Sequence, residues 1–160
     1  GIFQLAPFKV VMFKDAEIDF FGETDRLQNA LHRSESNAAV INSFSFKGML
    51  SEEMMPPSSP KGTISAICEP VKINLYLDEE QVTKIYAQKA TIDPQRHRMI
   101  LQGEIKVTSG TSQLSTNRLA IYPEKGLFEV ENKFVLKTHS ETFTGEKLTT
   151  DFFLEKVRIQ

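Results

Sequence analysis

Three histidines, one cysteine and a recurrent set of cations are the side chains of this 160-residue sequence that could carry chemistry. Zinc needs several His, Cys or carboxylate ligands at short spacing, and a nucleophile needs an adjacent base. His32, His97 and His139 stand far apart, none with a second ligand at metal-like spacing. His97 and His139 fall at or near expected hairpin turns, where a histidine is ordinarily a surface residue. Cys68 has no neighbour that would activate it and reads as a small buried or half-buried thiol. Asp78-Glu79-Glu80 reads as a solvated turn of like charges. No glycine-rich phosphate loop, nucleophile elbow or paired-histidine zinc motif is present, so an enzyme has no residues to stand on and neither cofactor nor metal is expected. Lys89, Arg118 and Lys147 recur every 29 residues. They could offer a line of positive charge to phosphate groups, but solvent-facing residues that keep a strand break soluble are the simpler reading.

The elements behind these residues follow from composition and period. With 40% hydrophobic residues and 18.1 kDa, the chain can form one globular domain over residues 1–160 with a substantial core. The formal charge is −2, with both signs interspersed, so no electrostatic footprint for nucleic acid appears. A single cysteine excludes an internal disulfide and a Cys-based zinc cluster. No apolar run approaches the roughly 20 residues that span a bilayer. The start, GIFQLAPFK, lacks an initiator methionine and reads as a processed or trimmed terminus, with any anchor upstream of it.

A repeat organises the second half. IYAQKATIDP, LSTNRLAIYP and FTGEKLTTDF align without a gap at Ile85, Leu114 and Phe143, 29 positions apart. Apolar residues alternate within each copy, as in Met99 and Leu101, then Ile105 and Val107, which is the period of half-buried strands. Turn chemistry separates the runs at Asp93-Pro94, Ser109-Gly110, Tyr122-Pro123 and His139-Ser140. Each unit is therefore a hairpin in an antiparallel meander. The inward beat skips a residue at Gln88-Lys89, Asn117-Arg118 and Glu146-Lys147, which requires bulges. Gly103 and Asn132, types that tolerate left-handed angles, interrupt the opposite limbs. In register, these breaks form a crease, and the sheet folds into two walls around an apolar interior.

Before residue 80, FKVVMFKDAEIDFF (8–21), NSFSFKGML (42–50) and VKINLYL (71–77) read as strands. SEEMMPPSSPKG (51–62), with three prolines, reads as a long mobile loop. Residues 23–39 fit either a short helix or a strand between loops.

The apolar set Ile105, Val107, Leu114, Leu119, Ile121, Phe128, Val130, Phe134, Leu136, Phe143 and Leu148 has two readings. It fills a core, or it lines a slot for an acyl chain between walls that stand slightly apart; both need the same side chains.

YAQKATID (86–93), LQGEIKVTSG (101–110), LSTNRLAIY (114–122) and FTGEKLTTD (143–151) resemble the periplasmic part of LptC-type lipopolysaccharide export proteins, related to LptA and OstA-like bridge proteins. The shared rhythm is an alanine-rich strand, G-x-V-x-V, L-x-T-D-x-L and a closing G-x-G-L-x-x-D. Departures are Asn117 for the usual Asp, Ile105 for Val, and Glu146 for the second closing glycine. The resemblance implies an all-β, open, twisted jellyroll in the periplasm, tethered to the inner membrane by one N-terminal helix. It further implies no chemistry of its own: lipopolysaccharide is received from an ATP-driven inner-membrane (ABC) transporter and passed to an LptA-type bridge protein. Acyl chains in the slot would gain about 0.8 kcal/mol per buried methylene. Unpaired strands at the extremities would join subunits end to end. The edge facing the transporter would carry Phe8, Val10, Val11 and Met12, and the edge meeting the bridge Phe153, Val157 and Ile159.

Three other readings compete. A soluble LptA-like bridge would differ by a cleavable leader in place of an anchor. A structural or carbohydrate-binding β-repeat would have a solid interior and outward aromatics for sugar stacking, yet the chain has no Trp and its Phe residues mostly share the inward beat. A hydrolase on a β-scaffold would need acids or histidines gathered by the fold.

Overall fold

The computed structural model describes residues 8–24, 39–54, 63–93 and 96–160. The alternating runs form twelve strands of a single sheet. They are β1 (Phe8–Thr24), β2 (Ala39–Met54), β3 (Thr63–Leu77), β4 (Glu80–Ala87), β5 (Lys89–Asp93), β6 (Arg98–Ser109), β7 (Ser112–Tyr122), β8 (Leu127–Val130), β9 (Phe134–Lys137), β10 (Thr142–Gly145), β11 (Leu148–Asp151) and β12 (Val157–Ile159). The fold is the expected all-β twisted jellyroll.

The crease is present at the expected places. β4 ends at Ala87 and β5 resumes at Lys89, while the Gln88 N–H donates to the Gly103 carbonyl at 3.0 Å. Opposite, the β6 register shifts between Gln102 and Ile105, where Gly103 and Glu104 have φ of +85° and +42°. β7 runs through, yet its first half pairs with β9 and its second half with β8. β8 and β9 are separated around Asn132, and β10 and β11 around Glu146-Lys147. Asn132 breaks its limb differently from Gly103: it is not left-handed, and its Oδ1 instead accepts the Lys133 N–H at 2.7 Å.

The crease also runs beyond the repeat. Asp15 in β1 has φ +52° beside a register shift, and the cis Glu69–Pro70 peptide of β3 divides the stretch pairing with β5 from the stretch pairing with β4. One wall thus contains β5, the first half of β6, the second half of β7, β8, β11 and β12. The other contains β4, the remaining halves of β6 and β7, β9 and β10; β1, β2 and β3 cross both. The inward beats Leu101, Ile121, Val130 and Leu148 of the first wall share one buried cluster with Ile85, Val107, Leu114 and Leu136 of the second. Each such side chain contributes about 1.5–3 kcal/mol by leaving water.

The N-terminal strands depart from a simple meander. β1 lies between β2, antiparallel, and β3, parallel. Since each strand reverses the last, a β3 placed on the far side of β1 must run with it, and β2 serves as the crossover. The expected free edge at Phe8, Val10, Val11 and Met12 is therefore an inner strand, and among the described residues the edge on this side is β2. The expected loop over 51–62 is strand up to Met54. Residues 55–62 and 25–38, with His32, lie outside the described residues.

Gly103 is the position where the crease admits no side chain. An added Cβ would come within 2.4 Å of Gln88 Oε1, at a backbone angle that L-residues avoid. Gly103→Ala is expected to cost about 1–3 kcal/mol in urea unfolding. Gln88→Ala in the same chain should recover part of that loss.

Candidate functional site

Away from the crease the walls end in turns, and the gap between those turns is the mouth of the fold. On the N-terminal side it opens into a cavity of about 330 Å³. Ile18 and Phe20 of β1 and Ile41, Phe44 and Phe46 of β2 form one side; Ile92, Met99 and Pro123 form the other. The lining is overwhelmingly apolar, and Phe44 is 67% exposed beside it. Phe13 and Phe46 meet edge to face at 4.5 Å, and Phe20 and Phe44 lie 6.2 Å apart. A solvent-open apolar surface with a polar border is the signature of a binding site rather than of a core.

That border comes from the two repeated turns. Asp93 Oδ2 lies 3.8 Å from Arg96 Nε and 3.9 Å from Arg98 Nε, and His97 Nδ1 lies 3.1 Å from Glu124 Oε1. The His97–Glu124 pair is largely exposed and worth about 0–1 kcal/mol, whereas Asp93 and Arg98 are each half-buried. Arg98 Nε is buried and has no hydrogen-bond partner. A buried guanidinium nitrogen whose carboxylate partner stands 3.9 Å away, beside an apolar cavity, would suit an anionic oxygen. His97, at φ +51°, is the surface turn residue expected, though its turn also borders the cavity.

Further along, the mouth is shut. After β11 the chain turns inward: Phe152 is fully buried, Leu154 is 3% exposed, and the Phe152 ring lies 4.9 Å from Phe128. The Phe152 carbonyl accepts the Thr83 hydroxyl at 2.6 Å, and the Ser109 hydroxyl donates to the Val82 carbonyl at 2.9 Å. Each hydroxyl has one proton, so these bonds consume both and leave the 3.1 Å Thr83–Ser109 contact as their shared geometry.

The expected slot residues separate into two groups. Ile105, Val107, Leu114, Leu119, Ile121, Phe128, Val130, Phe134, Leu136 and Leu148 are each at most 3% exposed, and none lines the mouth cavity. Phe143, directly opposite Leu136, is 37% exposed at the outer edge of β10. Val157 and Ile159 belong to β12, at the C-terminal end of the sheet order. Phe153, expected on that edge, lies in the turn before it and is half-buried. Met12 is half-buried within β1, and the side chains of Phe8, Val10 and Val11 lie outside the described residues. The cavity residues of β1 and β2 had a visible signal in the Phe44 and Phe46 alternation, but no repeat to assign their inward face.

Arg118 and Lys147 face solvent, and Lys89 is half-buried. Among the described residues no group of three or more His, Cys, Asp or Glu could hold a metal ion, and no helix is long and apolar enough to cross a membrane. Cys68 is buried, which pushes its thiol up to about 11.

Creased antiparallel walls with an apolar interior, open along part of one side, leave room for an apolar ligand. The family described as "Lipopolysaccharide-assembly, LptC-related" matches residues 65–160, more than half of the chain. The chain belongs to the LptC family and takes part in lipopolysaccharide transport. That family is a periplasm-facing transport component, not an enzyme family. No curated protein matches the chain significantly.

Because the neutral thiol persists until the pH nears 11 in the folded protein, Cys68 should resist thiol reagents at pH 8 and react fully once unfolded. Its folded pKa lies above the unfolded value, so Cys68 should leave stability unchanged below about pH 9 and reduce it as the pH rises towards 11. Labelling by mass spectrometry and urea melts across that range check both.

Proposed function

We propose that this chain is a non-enzymatic carrier that receives lipopolysaccharide from an inner-membrane ABC transporter and hands it to an LptA-type periplasmic bridge protein. The observation that carries the reading is the apolar cavity of about 330 Å³ open at the mouth of the fold. Acyl chains would enter it sideways between the walls, each methylene gaining about 0.8 kcal/mol, while sugars and phosphates stay in water. Arg98 would meet a phosphate or carboxylate at the rim. The packed residues from Ile105 to Leu148 become lining only where the walls separate further. An N-terminal helix would hold the protein at the inner membrane.

Handover needs edges. β12 pairs on one side only among the described residues, and Gln160 N–H donates to the Lys147 carbonyl at 3.1 Å. Alternation along an antiparallel strand then turns the N–H groups of Val157 and Ile159 outward. An incoming strand of the bridge protein would continue the sheet there, and β2 would serve on the transporter side.

Photo-crosslinking residues at Phe44 and Ile92 should capture radiolabelled lipopolysaccharide well above an outward control at Lys106, with weaker capture at Leu136 and Phe143. Equal labelling at all five positions would count against an interior route. Val157→Pro removes an outward donor and should weaken binding of an LptA-type partner at least tenfold; undiminished binding would refute this edge.

A further inference from the structure

The cavity and the C-terminal edge lie on one inward row of side chains. Met99, at the cavity, is in register with Ile121, Ile121 with Phe128, Phe128 with Thr150, and Thr150 with Val157 of β12. Any hydrocarbon travelling along this row towards the C-terminal edge meets Phe152, whose ring lies 4.9 Å from Phe128. Residues 152–156 follow turn and bend geometry between β11 and β12, with Leu154 at φ +58°. They belong to no ladder.

Hydrogen bonds tie this segment at its base and across the mouth. At its base, Asp151 Oδ1 accepts the N–H groups of Glu155 at 2.8 Å and Lys156 at 3.2 Å, and the Asp151 carbonyl accepts that of Leu154 at 3.3 Å. Across the mouth, the bond recorded to the facing wall is Thr83 Oγ1 to the Phe152 carbonyl, at 2.6 Å. Thr83, 1% exposed, is a polar group inside an apolar interior, where a hydroxyl persists only with a partner. Giving up the Thr83 bond and the burial of Phe152 and Leu154 would release this face of the turn from the interior. An acyl chain entering the same space returns burial of the same kind.

We propose that residues 152–156 form a strap that closes the trough, fastened by Thr83, and that lipopolysaccharide displaces it on the way to the C-terminal edge. This rests on the lipid-carrier reading, whose site at the cavity stays open while the strap is shut. Phe152 and Leu154 stand in for the tails of an absent lipid, so the interior stays dry when unloaded. The end of the trough that faces the next protein is exposed only when cargo arrives.

Thiol labelling in a Cys68→Ala chain separates the two ideas. A probe at Phe44→Cys reports on the cavity, and one at Leu154→Cys reports on the strap. With purified lipopolysaccharide, labelling at 44 should fall and labelling at 154 should rise about tenfold or more. Thr83→Val should raise labelling at 154 without lipid. Should Leu154→Cys fail to fold, chymotrypsin cleavage after Phe152 or Leu154 in the unaltered chain gives the same readout and should accelerate with lipopolysaccharide. Protection at 44 with no change at 154 and no new cleavage overturns the strap and leaves the carrier reading standing. No response at either position overturns both. An unchanged rate at 154 in Thr83→Val overturns Thr83 as the fastening.

Discussion

One constraint governs the molecule: the long strands of the repeat belong to two walls and must break in register without reversing their inward face. Side chains alternate with period two, so a plain bend between Ala87 and Lys89 would turn the polar residues of β5 inward. The extra residue at Gln88 makes Ala90 the next inward position, and Ala87 and Ala90 are both fully buried. Gly103 answers it on the neighbouring strand, where its carbonyl takes the Gln88 N–H and its missing Cβ leaves room for the Gln88 side chain. The crease is therefore a line of paired local solutions. Each depends on its neighbour's break falling at the same height.

The interior divides because the chain obeys this constraint unevenly. In the repeated half the inward side chains between β4 and β11 are buried against one another in a single cluster. β1 and β2 follow the crease without the repeat, and there the aromatic side chains of Phe20, Phe44 and Phe46 border a space they do not fill. An apolar surface left in water on a long edge strand is a liability in a protein without a partner for it. On the proposed carrier reading it is what a lipid tail would require.

The strands, hairpins and crease of the second half were legible in the sequence because two independent signals coincide there: period-two alternation and a 29-residue repeat. The interior was legible as apolar but not as full or hollow, since packing depends on wall separation, which alternation does not encode. The free edge was misplaced because strand order is not written in local pattern. Phe8 to Lys14 has the composition of an edge, and only the return of β3 on its far side shows that it is enclosed. Phe153 is expected on the edge that meets the bridge; Leu154 at positive φ and the bond from Thr83 to the Phe152 carbonyl, 69 residues away in sequence, turn that segment inward. Asn132 is the smaller lesson of the same kind: a residue type that tolerates left-handed angles can also break a strand through its side chain.

The uneven filling bears on how a passive trough could conduct. A uniformly hollow interior would admit water when empty and hold lipid strongly when loaded, so release would be slow. A uniformly packed one would have to lose many contacts at once before the first methylene entered. Partial packing lies between: the cavity near Phe44 offers burial at no cost in protein contacts, and each further step exchanges one apolar contact for another of similar strength. The free energy along such a path is nearly level. On the proposed reading, direction would then come from the two ends, where supply of lipid on one side and its removal on the other would set the gradient.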